Sequence, residues 1–358
     1  MTGTEASANG ARRVALLCPG RGSYTEKSLR SLPADDPLVR AAEALRVEYE
    51  LESLLALDAA LDSTAKFEPA RHLRPANAAA LIYLCTLLDS RAVLARDEVV
   101  CVAGNSLGWY TALALAGALS FEDGFRLVQE MALLQEQGEP GGQVIYPLVD
   151  EEWRRAPAAE AALARLLASA PGEIFPSIHL GGYAVLAATP AGVTRLLKEL
   201  PPVKLGTTSY PFRLAQHGPY HTRLASSVAA RPGSRRTTAS TVAARAREQL
   251  ARLDFRPPTI TLIDGRGLRF TPAATDLAAL REYTLGAQID TPYDFTTSVR
   301  VATLEYAPAR LILPGPGNTL GGVCAQVLIA LGWRGLATRA DFERVQASDA
   351  PVLESLRR

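Results

Sequence analysis

The chain has 358 residues, 48% of them hydrophobic and 21% charged, which is enough apolar material for one large core. Its 38 lysines and arginines against 37 aspartates and glutamates leave a formal net charge of +1. That balance gives no overall basic field of the kind that attracts nucleic acid or a membrane surface, so we expect neither as a partner.

The four cysteines stand singly in apolar surroundings, with no CxxC pair and no Cys/His cluster at metal-ligand spacing. This pattern predicts buried thiols in a reducing cytoplasm, and no metal site. The N-terminal segment MTGTEASANGARR lacks the apolar run of a secretion signal. We therefore expect a cytoplasmic protein in which residues 1–12 form a loose tail.

Strand and helix patterns alternate in the first part of the chain. The apolar run VALLC, residues 14–18, predicts a buried strand that breaks at the Gly-rich turn PGRGSY. Helical patterns follow, then VVCVAG at 99–104 predicts a second strand and the Ala/Leu-rich stretch 107–119 a helix. The pattern G-x-S-x-G around Ser106 thus lies at a strand-to-helix junction, the context in which this motif presents a nucleophilic serine.

The middle of the chain has a different pattern. Between about residues 144 and 210 the predicted order is β-α-β-β-α-β, typical of a ferredoxin-like unit inserted between the halves of a main domain. The Arg-rich segment RPGSRRTTAS at 231–240 is predicted to be a solvated loop, and LILPGPGNTL later repeats the strand and Gly-rich turn. We expect residues 13–143 and 211–340 to form the large domain, 144–210 the small subdomain and 341–358 a C-terminal tail.

A serine hydroxyl is nearly inert at neutral pH, so Ser106 needs a general base. His72 lies in the charged segment ARHLRP and is predicted to be exposed. His221 follows a turn and precedes a helical segment, where a side chain can project into a cleft. We take His221 as the base, with His179 and His217 as the alternatives. The sequence offers no carboxylate at an obvious position for a third member.

Five segments resemble, in order and spacing, malonyl-CoA:acyl-carrier-protein transacylases and the acyltransferase domains of polyketide synthases. They are PGRGSY, GNSLG, PYHTRL, QIDTPYDF and PGPGNTL, and the resemblance covers about residues 13–335. It implies an α/β fold, with an α/β-hydrolase-like large domain carrying an inserted ferredoxin-like subdomain, and a ping-pong transfer through an acyl-serine. It also implies no tightly bound cofactor, because an acyl-CoA or phosphopantetheinyl carrier-protein thioester is itself the substrate.

The resemblance also implies roles for single residues. Ser106 would attack the thioester and His221 would accept its proton. The backbone carbonyl of Gln288 would orient that histidine, which explains the missing carboxylate. The backbone amides of Arg21 and Leu107 would form the oxyanion hole, where each donor is worth about 3 kcal/mol to the tetrahedral intermediate.

Several positions depart from the family pattern. Asn105 stands where the family has a histidine, Arg21 where it has a glutamine, and Trp109 where it has a glutamate. Met131 stands 25 residues after the serine, where an arginine binds the carboxylate of malonyl groups. An apolar thioether cannot pair a carboxylate, and burying an unpaired one is costly, so we predict an acyl group without a free carboxylate. The residues expected in the acyl pocket are Asn105, Trp109, Met131, Tyr220 and His179.

Arg21 leaves a rival interpretation open. A side chain on a turn points outward more readily, where this one would meet the phosphates of coenzyme A or an acidic carrier protein. Turned inward, it would bind a malonyl-type carboxylate.

Two other functions also stay open. One is an acyl-carrier-protein thioester hydrolase that uses the same dyad with water as the acceptor, and the other is a non-catalytic docking protein. We predict a monomeric acyltransferase of fatty-acid or polyketide biosynthesis, with an acyl carrier protein and acyl-CoA as partners.

Overall fold

The computed structural model describes residues 11–62, 64–137, 140–226 and 242–357. Within these ranges the strands are β1 Arg13–Cys18, β2 Glu98–Gly104, β3 Gly142–Pro147, β4 Ile174–Leu180, β5 Tyr183–Ala188, β6 Val203–Leu205, β7 Thr208–Tyr210, β8 Phe212–Arg213, β9 Thr261–Ile263, β10 Arg269–Phe270, β11 Tyr293–Asp294, β12 Arg310–Leu313 and β13 Leu353–Ser355.

The helices of the same ranges are α1 Pro37–Glu48, α2 Leu54–Leu57, α3 Pro69–His72, α4 Pro75–Arg96, α5 Leu107–Leu115, α6 Phe121–Glu136, α7 Pro157–Ser169, α8 Pro190–Glu199, α9 Val242–Gln249, α10 Leu277–Glu282, α11 Gln288–Asp290, α12 Phe295–Tyr306, α13 Gly321–Ala330 and α14 Arg339–Gln346. A π-helical turn, Tyr283–Ala287, joins α10 to α11. Several helices begin at side-chain caps: Asp36 accepts from the Leu38 amide at α1, and Ser120 accepts from the Asp123 amide at α6.

The larger sheet has six strands in the order β10-β9-β2-β1-β12-β13. Its pairs are parallel except for β10, which runs antiparallel to β9. After Arg13, the central strand β1 is an unbroken, buried apolar run, as is typical of a parallel sheet covered on both faces. The carboxyl ends of β1 and β2 lie side by side, with Cys18 in register with Gly104. Whatever follows these two strands therefore meets at one edge.

The smaller sheet has five strands in the order β11-β4-β5-β3-β8. Four of them follow one another along the chain with α7 and α8 between them, as the sequence pattern predicts. The fourth is Phe212–Arg213, just beyond the expected limit at residue 210, because residues 203–210 fold into the separate hairpin of β6 and β7. The edge strand β11 comes from the other half of the chain and pairs in parallel with β4.

Two expectations for the chain ends need correction or restriction. The segment 341–358 was expected to be a tail, but its described part is not one: β13 pairs in parallel with β12 and closes one edge of the larger sheet. Arg12, expected in a loose N-terminal tail, donates to the Asp97 carboxylate. Residues 1–10 and the predicted loop 231–240 lie outside the described residues.

His72 is not exposed, contrary to the prediction from its charged neighbours. The residue is 1% exposed, and its Nε2 lies 2.9 Å from the carbonyl oxygen of Leu57. Its ring stacks on Phe67 with 4.7 Å between centroids. The imidazole satisfies buried backbone groups, which offsets the cost of burying a polar ring.

Helix α4 is, by length and composition alone, long and apolar enough to cross a membrane. About two thirds of its apolar stretch, 67%, is buried inside the protein, as in the core helix of a globular domain.

Candidate active site

The candidate active site lies at the carboxyl edge of the larger sheet. The chain leaves β1 into the turn that holds Arg21, and it leaves β2 into Ser106, immediately before helix α5. Ser106 has φ 55° and ψ −109°, a left-handed conformation that a serine rarely adopts. Such strain is typical of a functional position held by its surroundings.

The two glycines around the serine are required by close packing. A Cβ atom on Gly108 would lie 2.2 Å from the carbonyl oxygen of Cys18. A Cβ atom on Gly104 would lie 2.0 Å from the carbonyl carbon of Gly108. Neither position accepts a side chain, so the G-x-S-x-G spacing allows α5 to begin directly against β1 and to lift Ser106 off the sheet.

The side chain of His221 meets Ser106 from a different part of the chain. Its Nε2 lies 2.6 Å from Ser106 Oγ, and its Nδ1 lies 2.7 Å from the backbone oxygen of Gln288. A carbonyl oxygen only accepts, so Nδ1 carries the proton and Nε2 accepts from the serine hydroxyl. His221 also has a positive φ, 57°, and its backbone N–H donates to the Ile289 oxygen at 3.0 Å.

The charge state of His221 follows from its surroundings. The pKa of His221 is lowered to about 4, chiefly by burial and also by the positive charge of Arg21, while the hydrogen bond to the Gln288 carbonyl opposes the shift. The imidazole is therefore neutral at physiological pH. A neutral imidazole with a free Nε2 lone pair beside a hydroxyl can act as a general base.

Two backbone amides beside the serine have no acceptor among the residues that the structure describes. Within the described residues, no hydrogen bond uses the backbone N–H of Arg21 or of Leu107. Leu107 opens helix α5, where N–H groups are left without intrahelical partners. Both amides are free to donate to an oxygen held next to Ser106 Oγ.

A narrow cavity of about 20 Å³ opens beside Ser106, with room for about one water molecule. Met131 of α6 lies in its wall and is 2% exposed. A wider groove of about 850 Å³ adjoins it and shares Gln135 and Tyr220 with it. The inner cavity is lined by Arg21, Ala79, Ser106, Leu107, Tyr110, Val128, Met131, Ala132, Gln135, Tyr220, His221, Val242, Gln288 and Ile289.

The side chain of Arg21 was expected to point outward from its turn into solvent. Instead it lies against other residues of the site. Its Nη1 donates to the backbone oxygen of Gln216 at 3.3 Å, and its guanidinium lies 4.9 Å from the centroid of the Tyr220 ring. These contacts hold the cation against the wall of the inner cavity. Its Nη2 is buried and has no hydrogen-bond partner among the described residues.

Three residues expected in the acyl pocket lie elsewhere. Trp109 is fully buried on the other side of α5, where its indole N–H donates to Thr284 Oγ1 at 3.1 Å. His179 is exposed on β4 of the smaller sheet, in register with Ala184, and does not line the inner cavity. Asn105 is largely buried next to the Gly20 turn rather than in the cavity wall, and its Oδ1 has no partner among the described residues.

Sequence reasoning missed one side chain at the site and named a second only as an alternative base. Tyr110 lines the cavity, and its hydroxyl donates to Gln288 Oε1 at 2.6 Å. His217 borders the outer groove, and its Nδ1 lies 2.8 Å from Gln143 Oε1. Loss of hydration, with the charges of Arg21 and His221, lowers the pKa of His217 well below its ordinary value. Tyr110 was discoverable, because it stands four residues after Ser106 on the helix.

All four cysteines, Cys18, Cys85, Cys101 and Cys324, are buried free thiols, as predicted. Across the part of the chain that the structure describes, no group of three or more His, Cys, Asp or Glu side chains could hold a metal ion.

Known proteins resemble this chain over most of its length, although no family model matches it. It is 25% identical over 334 residues to the malonyl CoA-acyl carrier protein transacylase of Haemophilus influenzae, covering 88% of this chain and 93% of that enzyme. It is 36% identical over 140 residues to the polyketide biosynthesis protein ThaF of Burkholderia thailandensis, covering 38% of this chain and 11% of that protein.

Among solved structures, the chain resembles a malonyl-transacylase in complex with its type II polyketide-synthase acyl-carrier protein, PlMCAT:AntF. The TM-score is 0.69 at 18% identity, covering 97% of this chain and 96% of that one. At that identity the likeness shows a shared α/β fold.

Proposed function

Because this chain belongs, as a divergent member, to the family of malonyl-CoA:acyl-carrier-protein transacylases and polyketide-synthase acyltransferases, we propose that it is an S-acyltransferase acting through an acyl-serine. The observation that carries the proposal is the hydrogen-bonded pair of Ser106 and His221, 2.6 Å apart, at the end of a groove. The neutral base and the strained serine are arranged as nucleophilic catalysis requires.

The first half-reaction forms the acyl-enzyme. Ser106 Oγ attacks the carbonyl carbon of the thioester while its proton passes to His221 Nε2. The oxygen that gains negative charge accepts hydrogen bonds from the free amides of Arg21 and Leu107. The C–S bond then breaks, and His221 returns the proton to the departing sulfur, which leaves the acyl group esterified to Ser106.

The second half-reaction reverses these steps with another thiol. His221 takes the proton of the phosphopantetheine thiol of a carrier protein, the sulfur attacks the serine ester, and the proton returns to Ser106 Oγ. No tightly bound cofactor is needed, because the carrier thiol and coenzyme A supply the sulfur atoms. We propose that acyl-CoA and an acyl carrier protein are the partners of a monomeric, cytoplasmic enzyme in fatty-acid or polyketide biosynthesis. The groove that leads to Ser106 supports alternate use by the two thiols.

We further propose that the smaller sheet is a ferredoxin-like insertion in an α/β-hydrolase-like domain. The four strands β8-β3-β5-β4 lie in the order fourth, first, third, second along the insertion, with α7 and α8 as the connections. The larger sheet supports an α/β-hydrolase-like domain, because the turn that holds Ser106 follows a parallel strand and precedes a helix.

Transfer, rather than hydrolysis, should be visible in the lifetime of the acyl-enzyme. The inner cavity has room for about one water molecule, so the acyl-serine should persist in buffer for times on the order of minutes. Holo carrier protein should discharge it within seconds, whereas apo carrier protein, which lacks the phosphopantetheine thiol, should not. Mass spectrometry of the intact protein measures both. Rapid loss of the acyl group in buffer, unaffected by holo carrier protein, would instead identify an acyl-thioester hydrolase.

The acyl group itself should carry no free carboxylate, because Met131 occupies the cavity wall. A specific observation favours a second candidate: Nη2 of Arg21, which has no hydrogen-bond partner among the described residues, could bind a malonyl-type carboxylate from another wall. In a competition for Ser106, we expect the wild type to favour acetyl- and butyryl-CoA over malonyl-CoA. Met131→Arg should shift the preference toward malonyl by about tenfold to a hundredfold, the value of one charged hydrogen bond.

Arg21→Gln separates the two candidates in the same competition. If Arg21 only borders the oxyanion turn, the substitution should weaken all three acyl groups similarly. A wild-type preference for malonyl-CoA that disappears in Arg21→Gln would make Arg21 the carboxylate ligand and reject the uncharged acyl group.

A further inference from the structure

One residue, Gln288, touches both members of the dyad. Its backbone oxygen accepts the Nδ1 proton of His221 at 2.7 Å, and its side-chain Nε2 donates to the backbone oxygen of Ser106 at 3.1 Å. With the bond from Ser106 Oγ to His221 Nε2, these contacts close a ring that runs from the serine through the glutamine and the histidine back to the serine.

The ring of hydrogen bonds matters because the backbone conformations of the two dyad residues are intrinsically unfavourable. Ser106 and His221 both have positive φ, 55° and 57°, in a region that residues with a Cβ atom seldom occupy. Such conformations persist only where the surroundings determine them. Among the described side chains, the amide of Gln288 connects the backbone oxygen of Ser106 to the residue whose carbonyl accepts from His221.

The Ser106 carbonyl and the Tyr110 hydroxyl together fix which way that amide faces. The Tyr110 hydroxyl donates to Gln288 Oε1 at 2.6 Å, so the other amide atom, Nε2, is the one directed at Ser106. A flipped amide would set an oxygen against the Ser106 carbonyl oxygen, a mismatch of two acceptors, and would take away the acceptor of the Tyr110 hydroxyl proton. Tyr110 and Gln288 are 3% and 2% exposed, so water does not replace a lost contact.

We infer that Tyr110 and the side chain of Gln288 are positioning residues that hold His221 in line with Ser106 Oγ. They supply the rigidity that the carboxylate, as the third member, gives to a serine–histidine–carboxylate triad. The inference rests on the proposed function, because it assumes that Ser106 is a nucleophile activated by His221.

The test uses a fluorophosphonate probe, which reacts with an activated serine whatever the preferred acyl group. Tyr110→Phe should lower the second-order rate constant for labelling of Ser106 by about tenfold to a hundredfold, the usual cost of a small misplacement. The acid limb of the labelling rate should move to lower pH, since a loosened bond to the Gln288 carbonyl no longer raises the pKa of His221. A residue that merely stabilises the fold would not move that limb.

Tyr83→Phe is the matched control. Tyr83 is equally buried, and its hydroxyl donates to the Phe121 backbone oxygen at 2.8 Å, away from the site. Both variants lose one buried hydrogen bond and should melt at similarly lowered temperatures. Only Tyr110→Phe should lose labelling rate.

A double-mutant cycle tests whether Tyr110 acts through Gln288. Gln288→Met keeps the volume of the side chain but removes its amide, and adding Tyr110→Phe to it should change labelling by less than about twofold. Labelling of Tyr110→Phe at the wild-type rate, or a full loss repeated in the Gln288→Met background, would overturn the inference alone. A folded wild type that the probe does not label would overturn the proposed function as well.

Discussion

Ser106→Ala is expected to abolish the covalent acyl adduct. The substitution removes only the hydroxyl, and alanine can occupy the same left-handed position as serine, so the fold should be kept. The measurement is intact-protein mass spectrometry after incubation with a panel of acyl-CoA thioesters. The wild type should gain the mass of the acyl group, and the alanine variant should gain nothing.

Ser90→Ala is the matched control for this experiment. Ser90 is fully buried, and its hydroxyl donates to the Thr86 backbone oxygen within helix α4. That variant should be acylated like the wild type. An adduct on Ser106→Ala at the wild-type rate would place the nucleophile elsewhere. A folded wild type that no thioester and no serine probe modifies would favour the non-catalytic docking protein.

His221→Ala should slow acylation of Ser106 by about 10²- to 10⁴-fold, the usual loss when a general base is removed. The pH dependence of the acylation rate gives a more specific test of the base. A protonated imidazole cannot take the serine proton, so the wild-type rate should be flat near neutrality and fall as the pH drops through about 4. Single-turnover rates measured from pH 3.5 to 8 would show that limb, and it should be missing in His221→Ala.

Three variants identify the group behind the limb. Arg21→Gln should move it to higher pH, because the cation of Arg21 lowers the pKa of His221. His179→Ala should change nothing, since His179 lies on the exposed surface of β4. If His217→Ala removes the limb and His221→Ala does not, the base is His217.

Local signals in the sequence predicted much of this molecule. The first two buried strands and the serine turn lie where apolar runs meet glycines, and the family resemblance of five short segments is confirmed by the relatives. These features depend on residues close together in the chain. The mixed α/β content follows from the same local alternation of strand and helix patterns.

Contacts between distant segments were not predictable in this way. Trp109 and Tyr110 are neighbours about 100° apart on α5, and the packing of the helix decides which of them faces the cavity. Position counting selected Trp109, but Tyr110 lines the cavity and Trp109 packs against Tyr283. Strand β13 has only three residues and pairs with β12 across about forty intervening positions, so no local periodicity marks it.

Tyr293 in the edge strand β11 has a mechanical consequence. Its backbone is in register with Ile178 of the smaller sheet, its ring packs 5.4 Å from that of His221, and its hydroxyl donates to the backbone oxygen of Gly104. Tyr293 therefore connects the smaller sheet to β2, the strand that precedes Ser106. A hinge motion between the two sheets would have to separate β11 from β4. The opening between the two sheets should therefore keep a nearly constant width. Thioesters would be selected by whether they fit this rigid opening, in which side chains such as Arg21 are the groups that can change conformation.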